Sequence, residues 1–289
     1  MTVKIYRGSC HCAKFVYEVN LPEIKSYDEC NCSICFKKGY AWVFPKDDSH
    51  LRFVKGAKED LTVYSFGKSD FSHLFCSHCG TPVMGTNPTA DPSLYLNART
   101  IQDLDIWSLK AHTFDGKSLP PSYKAPAYYG PEPEAGDKYD STYYGSCHCG
   151  AVQTAVKTKS LDTYNLSKET HKILECNCNY CVRGGQIWGY LDKDQAAIHG
   201  AEHMTYYMFN LQVLRKGFCK HCGVNVVNEV APKTDNQIEA LTGTPKMMYD
   251  LLHTKRNINL RMLDDFDCSK LELCRANGRE EIPGDWVNP

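Results

Sequence analysis

Gly8-Ser-Cys-His-Cys12 returns later in the chain as Gly145-Ser-Cys-His-Cys149. Two further cysteine blocks follow in the same order in both places. They are Cys30-Asn-Cys-Ser-Ile-Cys35 with Cys176-Asn-Cys-Asn-Tyr-Cys181, and Phe75-Cys-Ser-His-Cys-Gly80 with Phe218-Cys-Lys-His-Cys-Gly223. Blocks that return in the same order indicate an internal duplication. The sequence therefore predicts two related domains in tandem.

The segment that joins the two copies is rich in proline and glycine, a composition typical of an extended linker. The predicted division is a first domain over residues 1–125, a linker over 126–140, a second domain over 141–275 and a tail over 276–289. With 289 residues, 42% of them hydrophobic, the chain is long enough to bury a core in each domain.

Local patterns in both copies predict β-strands. Phe15, Tyr17 and Val19 fall on alternate positions, as in a half-buried strand. Short runs rich in β-branched and aromatic residues occur at 40–44, 61–66, 94–97, 187–191, 204–209 and 224–227. The predicted fold class is mainly β, with two small antiparallel domains. One short helix is expected over 246–253, with its methionine and leucine face packed on the core; a lid or an inter-domain contact is the alternative.

Composition limits which cellular compartment and which classes of partner are expected for this protein. The sequence starts without a signal-like apolar segment, and no run reaches the roughly 18 apolar residues of a membrane span. We expect a cytoplasmic protein, with the nucleus as the alternative, and no membrane partner. A formal net charge of −1 gives no basis for a nucleic-acid partner, since such binding depends on clustered lysine and arginine.

The 16 cysteines are best explained by metal binding, because disulfides are disfavoured in that compartment and tight C-x-C and C-x2-C spacings suit metal capture. Zinc prefers four soft ligands, which groups the first and third blocks of each copy. The predicted sets are Cys10, Cys12, Cys76 and Cys79, and Cys147, Cys149, Cys219 and Cys222. Such closed sites are structural; the alternative is a set of reduced, buried thiols.

The middle block of each copy offers only three thiolates. These candidate catalytic ligands are Cys30, Cys32 and Cys35, and Cys176, Cys178 and Cys181. Three protein ligands leave a fourth position for water or substrate, as in catalytic zinc sites. The alternative is a structural site whose fourth ligand is a nearby histidine, aspartate or other cysteine. In total the chain is expected to bind up to four zinc ions.

Side chains beside these blocks have simpler expected roles. Trp42 and Trp188, on the strand after each middle block, are expected to pack in the core rather than to line a pocket. The block histidines are expected to donate hydrogen bonds or to be exposed, not to bind metal; they are His11, His78, His148 and His221.

Basic residues also follow each middle block, at Lys37, Lys38 and Arg183. We expect these three residues to be solvated charges in a turn. Contact with a ligand that carries a carboxylate is the alternative.

The three blocks, together with Phe75-Cys-Ser-His-Cys-Gly-Thr-Pro82, resemble the glutathione-dependent formaldehyde-activating enzyme and centromere protein V family. Leu96-Asn-Ala-Arg99 and Asn259-Leu-Arg-Met-Leu-Asp264 resemble the closing segment of that family. The resemblance implies a β-tent zinc fold, with a structural zinc on the four-cysteine set and a second zinc on the three-cysteine block. It also implies carbon-sulfur lyase chemistry on a glutathione adduct.

The functional hypothesis is a zinc-dependent carbon-sulfur lyase that acts on a small thiol or thiol adduct, glutathione among them, through the three-cysteine zinc. Two alternatives remain open. One is a noncatalytic zinc scaffold that binds protein partners. The other is an isomerase or dehydratase in which zinc acts as a Lewis acid on a carbonyl substrate.

Overall fold

A computed structural model describes residues 3–45, 48–67, 70–120, 122–164, 172–264, 266–268, 271–281 and 286–289. Short strands dominate both copies, so the predicted mainly β class is confirmed. In the described part of the chain, no helix has both the length and the apolar character needed to cross a membrane.

The first copy is built from ten described strands and one α-helix, α1, at Ser33–Lys38. The strands are β1 Val3–Ser9, β2 Val16–Pro22, β3 Ser26–Cys30, β4 Trp42–Val43, β5 Leu51–Lys55, β6 Thr62–Tyr64, β7 Ser72–Phe75, β8 Pro82–Thr86, β9 Leu94–Asn97 and β10 Lys110–Phe114.

The second copy repeats this order. Its strands are β11 Ser141–Ser146, β12 Gln153–Thr158, β13 Ile173–Cys176, β14 Trp188–Asp192, β15 Ala196–His199, β16 Met204–Met208, β17 Leu214–Cys219, β18 Asn225–Val230, β19 Lys255–Asn259 and β20 Cys274–Ala276. Its helices are α2 Asn179–Gly184, α3 Asp235–Glu239, α4 Gly243–Leu252 and α5 Gly278–Glu281.

Each copy pairs a three-stranded sheet with a seven-stranded sheet. The orders are β1-β2-β5 and β10-β3-β4-β9-β8-β7-β6 in the first copy, and β11-β12-β15 and β16-β17-β18-β19-β14-β13-β20 in the second. Pairing is antiparallel except at one edge of each large sheet, where β10 runs parallel to β3 and β20 runs parallel to β13. These parallel strands bring the end of each copy back beside its middle cysteine block.

The cores of the two copies interlock through their equivalent helices. Ile34 of α1 packs in the hydrophobic cluster of the second copy, while Tyr180 and Val182 of α2 pack in the cluster of the first. Ile34 is only 1% exposed and Tyr180 3% exposed. Burying a side chain of this size stabilises the fold by about 1.5–3 kcal/mol. Each copy therefore completes the core of the other.

Glycines permit this close approach. Gly39 and Gly185 end the two helices with φ of 59° and 54°, a left-handed conformation that favours glycine. A Cβ on Gly185 would lie 2.6 Å from the Gly39 carbonyl oxygen, so the two helix ends touch backbone to backbone. In the same way, Phe218 lies against Gly80 of the other copy, where a Cβ would come within 2.7 Å of its ring.

The predicted linker is extended and fixed to the second copy. Ala127 O accepts a hydrogen bond from Gln153, and Ala135 donates its backbone N–H to Asp194 O.

The expectation that the helix over 246–253 packs on the core is wrong, because α4 contains no buried residue and leaves Met247 61% and Leu251 69% exposed.

Candidate functional site

The structure brings together both predicted four-cysteine sets. We call them the first four-thiol cluster (Cys10, Cys12, Cys76, Cys79) and the second four-thiol cluster (Cys147, Cys149, Cys219, Cys222); in each, all sulfurs lie within 4.8 Å of one another. Adjacent Sγ atoms are 3.5–3.6 Å apart. Four thiolates about 2.3 Å from a tetrahedral zinc would be about 3.8 Å apart. The spacing fits a metal ion and is too long for a disulfide, whose sulfurs are about 2.05 Å apart.

Backbone turns aim these thiols at one point. The N–H of Phe15 donates to Cys10 Sγ at 3.3 Å, and the equivalent N–H of Val152 donates to Cys147 Sγ at 3.3 Å. Gly80 holds a φ of 72° and donates its N–H to the Cys76 carbonyl oxygen, which closes the C-x2-C turn. Amide donors of this kind stabilise thiolates, so the turns prepare the sulfurs for a cation.

The three-cysteine blocks also converge. The first three-thiol cluster (Cys30, Cys32, Cys35) and the second three-thiol cluster (Cys176, Cys178, Cys181) each hold their sulfurs within 4.8 Å. The first cysteine ends a strand, the second precedes the helix, and the third lies inside it. In both clusters the third thiol is buried while the first two are half-buried. Each cluster therefore has two partly accessible cysteines.

Hydrogen bonding among the thiols favours one thiolate in each cluster even without a metal. Bonds from Cys32 and Cys35 lower the pKa of Cys30 to about 3. Bonds from Cys176 and Cys181 hold the pKa of Cys178 well below its usual range. The partner thiol Cys181 shows the converse, its pKa raised well above the usual range by bonds to the same neighbours. A preformed negative charge of this kind favours metal capture.

The two equivalent tryptophans support these clusters directly. Trp42 is 4% exposed and Trp188 is 1% exposed, which confirms the predicted core packing. Their indole N–H groups also donate to the buried third thiol, Trp42 to Cys35 Sγ at 3.4 Å and Trp188 to Cys181 Sγ at 3.3 Å. The core residue of each strand thus orients a cluster sulfur.

A histidine of the other copy lies beside each three-cysteine block. At the first cluster, His148 accepts or donates hydrogen bonds at both ring nitrogens, with Tyr64 Oη 2.8 Å from Nδ1 and Ser33 Oγ 3.0 Å from Nε2. Tyr123 stacks on its ring at a centroid distance of 4.6 Å, and Phe66 contacts the ring edge-on at 4.4 Å. This imidazole is fully satisfied and covered.

At the second cluster, His11 occupies the equivalent place, but only one of its ring nitrogens has a hydrogen-bond partner. Its Nδ1 lies 2.9 Å from Tyr207 Oη, but its buried Nε2 has no hydrogen-bond partner. Phe209 and Trp286 contact the ring at 4.3 and 5.4 Å between centroids. Burial lowers the pKa of both His11 and His148 to about 4, so each ring is neutral at physiological pH. The prediction of hydrogen-bonded or exposed block histidines is confirmed, since His78 and His221 are exposed.

The prediction that Lys37, Lys38 and Arg183 are solvated charges in a turn is wrong. Lys37 is 4% exposed and Arg183 is 3% exposed, because each side chain enters the other copy. Lys37 Nζ donates to Ser146 O at 3.0 Å, and Arg183 Nε donates to the equivalent Ser9 O at 3.0 Å. Lys38 is 1% exposed, and burial lowers its pKa to about 8. These cations join the copies rather than meet solvent.

A cavity of about 320 Å³ opens beside the second three-thiol cluster. Cys178 and Asn179 line it from the second copy, and His11 lines it from the first. Lys216 and Trp286 complete the wall near the imidazole. We call this space the His11 cavity. It is large enough for a small organic ligand and places that ligand next to a half-buried thiol.

Sequence reasoning missed the residues that line this site around Cys178. His11 comes from the first copy and Trp286 from the tail, while Lys216 lies on β17 of the same copy as Cys178. Comparison of the two copies could have pointed to Lys216, because the copies differ at this position. The first copy has His73 there, at the same distance from the third cysteine block.

Residues 5–117 match the family model described as glutathione-dependent formaldehyde-activating enzyme. This match lies within the first copy, and the second copy repeats the cysteine blocks and the sheet order of the first.

Two individual proteins are similar to part of the chain. A Halomonas elongata protein named "Putative glutathione-dependent formaldehyde-activating enzyme" is 31% identical over 87 residues, which cover 27% of this chain and 50% of that protein. The chain thus matches about half the length of this curated relative. A crystal structure of a Rhodobacter sphaeroides protein is 29% identical and covers 37% of this chain and 99% of that one, with a TM-score of 0.33.

Proposed function

We propose that this protein is a zinc-dependent enzyme of the carbon-sulfur lyase type, acting on a small thiol and its aldehyde adduct. The observation that carries the proposal is the incomplete donor set of the three-thiol clusters. Each offers three sulfurs where zinc takes four ligands, and the second cluster borders the His11 cavity. The family model that matches residues 5–117, described as glutathione-dependent formaldehyde-activating enzyme, supports the same chemistry.

The donor chemistry supports zinc at all four clusters. Thiolates are soft ligands, and the 3.5–3.6 Å separations between sulfurs of the four-thiol clusters fit a tetrahedral ion. The four-thiol clusters would be closed and structural, held by Cys10, Cys12, Cys76 and Cys79 and by Cys147, Cys149, Cys219 and Cys222. The three-thiol clusters would hold zinc with one exchangeable position, where the ion supplies Lewis acidity and lowers the pKa of a bound thiol.

The chain's own residues bind and orient the reactants. Trp286 and Phe209 cover the imidazole of His11 and restrict water on that side of the cavity. His11 also lines this cavity, and its buried Nε2 has no hydrogen-bond partner. The indole N–H of Trp188 fixes Cys181, so the cluster keeps its geometry as a ligand enters.

The proposed reaction joins or separates a thiol and an aldehyde. In the forming direction, a bond forms between the thiol sulfur and the carbonyl carbon, the carbonyl π bond breaks, and the thiol proton ends on the carbonyl oxygen. The reverse reaction breaks the carbon-sulfur bond and returns the proton to sulfur. Neither direction needs an oxidant or a reductant.

Exchange NMR with ¹³C-labelled formaldehyde and glutathione tests the proposal. We expect the zinc-loaded chain to accelerate exchange between free aldehyde and thiol adduct, and Cys178→Ser to abolish the acceleration. Cys268→Ser is the matched control, because Cys268 is a half-buried cysteine outside the four clusters.

An exchange rate that is the same with and without the protein would contradict the proposal and favour a noncatalytic scaffold. Turnover of a carbonyl substrate without any thiol would instead favour the isomerase or dehydratase alternative.

A further inference from the structure

We propose that metal loading of the two copies is coupled, because basic side chains of each copy compensate the charge of the four-thiol cluster in the other. This coupling requires metal at the four-thiol clusters and does not depend on the proposed reaction. Four thiolates around one divalent ion leave two negative charges in excess. Buried charge of this size is costly unless opposite charge lies nearby. The cations that lie nearby come from the opposite copy.

One pair of equivalent cations reaches the strand end that precedes each four-thiol cluster. Lys37 and Arg183 both stand two residues after the third cysteine of their middle block. Lys37 Nζ donates at 3.0 Å to the carbonyl oxygen of Ser146, directly before the second four-thiol cluster begins. Arg183 Nε donates at 3.0 Å to the carbonyl oxygen of Ser9, directly before the first four-thiol cluster begins, and its Nη2 lies 3.3 Å from Ser9 Oγ.

The charge of Arg183 is balanced by the thiols of the first copy. Its other contacts are the Asn179 carbonyl oxygen at 2.6 Å and the ring of Trp286, whose centroid is 4.5 Å from the guanidinium carbon. Neither contact supplies a full negative charge. Burial lowers the pKa of Arg183 to about 10, and the thiols of Cys10 and Cys79 are the main groups that oppose this shift.

Lys37 is already partly neutralised, because its Nζ also lies 3.1 Å from Asp264 Oδ1. A further cation is therefore needed at the second four-thiol cluster, and the next residue of α1 supplies it.

Lys38 has no counterpart in the second copy, where Gly184 stands at the equivalent position. It is 1% exposed, and its Nζ has no hydrogen-bond partner. This Nζ lies 4.4 Å from the ring centroid of Phe75. The same ring lies against Gly223, the residue after Cys222, where a Cβ would come within 2.5 Å of it. Lys38 is therefore placed behind the turn of the second four-thiol cluster.

The thiols of that cluster are the negative groups that balance Lys38. Burial lowers its pKa, and Cys222 and Cys219 are the main groups that oppose this shift. A buried ammonium without hydrogen bonds is costly, and a metal-thiolate cluster beside it offsets that cost. Because linkage is reciprocal, the cation that stabilises the loaded cluster is itself stabilised by loading. Metal in the second copy therefore favours the docked position of α1 from the first.

A chelator titration followed by ¹¹³Cd NMR on the cadmium-loaded, reduced chain measures each cluster separately, because every bound ion gives its own resonance. Cys149→Ser identifies the resonance of the second four-thiol cluster, since Cys149 is its exposed ligand. We expect Lys38→Met to make this ion about 10- to 100-fold easier to remove, with smaller changes at the other clusters. Arg183→Met should have that effect at the first four-thiol cluster. Lys25→Met is the control, because its side chain is 79% exposed, and it should change no resonance.

A double-mutant cycle separates the effect of charge from that of packing. Cys149→His replaces a thiolate with a neutral imidazole and keeps four ligands, so it removes one negative charge from the second four-thiol cluster. We expect Lys38→Met to weaken metal binding by a factor about threefold smaller in this background than in the wild type.

Equal loss of metal affinity in both backgrounds would overturn the compensation of charge, and so would an unchanged titration in Lys38→Met or Arg183→Met. An equal change at all four clusters would show general loosening of the fold and would overturn it as well. Failure of the proposed reaction leaves the coupling intact, because this readout needs neither a thiol substrate nor an aldehyde. A wild-type chain without cadmium resonances from its four-thiol clusters would overturn the coupling and metal binding there together.

Discussion

Replacing Trp188 with phenylalanine isolates the contribution of a single hydrogen bond to a three-thiol cluster. Phenylalanine retains most of the buried ring but loses the indole N–H that lies 3.3 Å from Cys181 Sγ. A hydrogen bond to a charged acceptor contributes about 1.5–3 kcal/mol, which corresponds to about 10- to 100-fold in metal affinity. Trp42→Phe should have the same effect on the first cluster, where the indole N–H is 3.4 Å from Cys35 Sγ.

Competition against a chromophoric chelator measures this effect on purified protein. We expect one zinc ion per chain to become about 10- to 100-fold easier to remove in each variant, and two ions in the double variant. Trp107→Phe is the control, because Trp107 packs against Arg275 and donates to no thiol in the described structure. Unchanged metal affinity in both Trp188→Phe and Trp42→Phe would refute the role assigned to the indole groups.

Three further predictions concern how the copies stabilise one another. Phe218→Ala should lower the free energy of unfolding by about 3–5 kcal/mol in urea titration, because the fully buried ring packs against Gly80 of the other copy; a cost below about 1 kcal/mol would contradict the interlocked core. Gly185→Ala should cost more than about 1–2 kcal/mol in the same assay, since it adds a left-handed alanine and a clash with the Gly39 carbonyl; a stability equal to wild type would contradict the backbone contact. Removal of metal by a chelator under reducing conditions should lower the thermal midpoint and broaden the transition; an unchanged melting curve would exclude structural metal sites.

The fold was predictable where its signals are local. Alternation at Phe15, Tyr17 and Val19 and the short apolar runs depend only on neighbouring residues, so strand class and position could be inferred from them. The cysteine groups were predictable for the same reason, because zinc's ligand number constrains which blocks must meet. The parallel pairing of β10 with β3 was not, since it depends on a long connection whose path no local pattern specifies.

The composite site could not be inferred from either copy alone. Lys37 and Arg183 look like exposed turn charges, yet both enter the opposite copy and bind its backbone. His11 lies between two metal-ligand candidates in the sequence, and its position at Cys178 arises only when the copies interlock. Which distant segments pack together depends on shape and burial over the whole chain. Sequence patterns within one segment therefore do not predict these contacts.

Native mass spectrometry of the purified, reduced chain with and without glutathione counts the bound zinc ions and the retained thiol ligands together. We predict four zinc ions per chain and a retained thiol adduct that depends on Cys178. Two zinc ions, or four without any adduct, would contradict the claim that the three-thiol clusters hold an open metal.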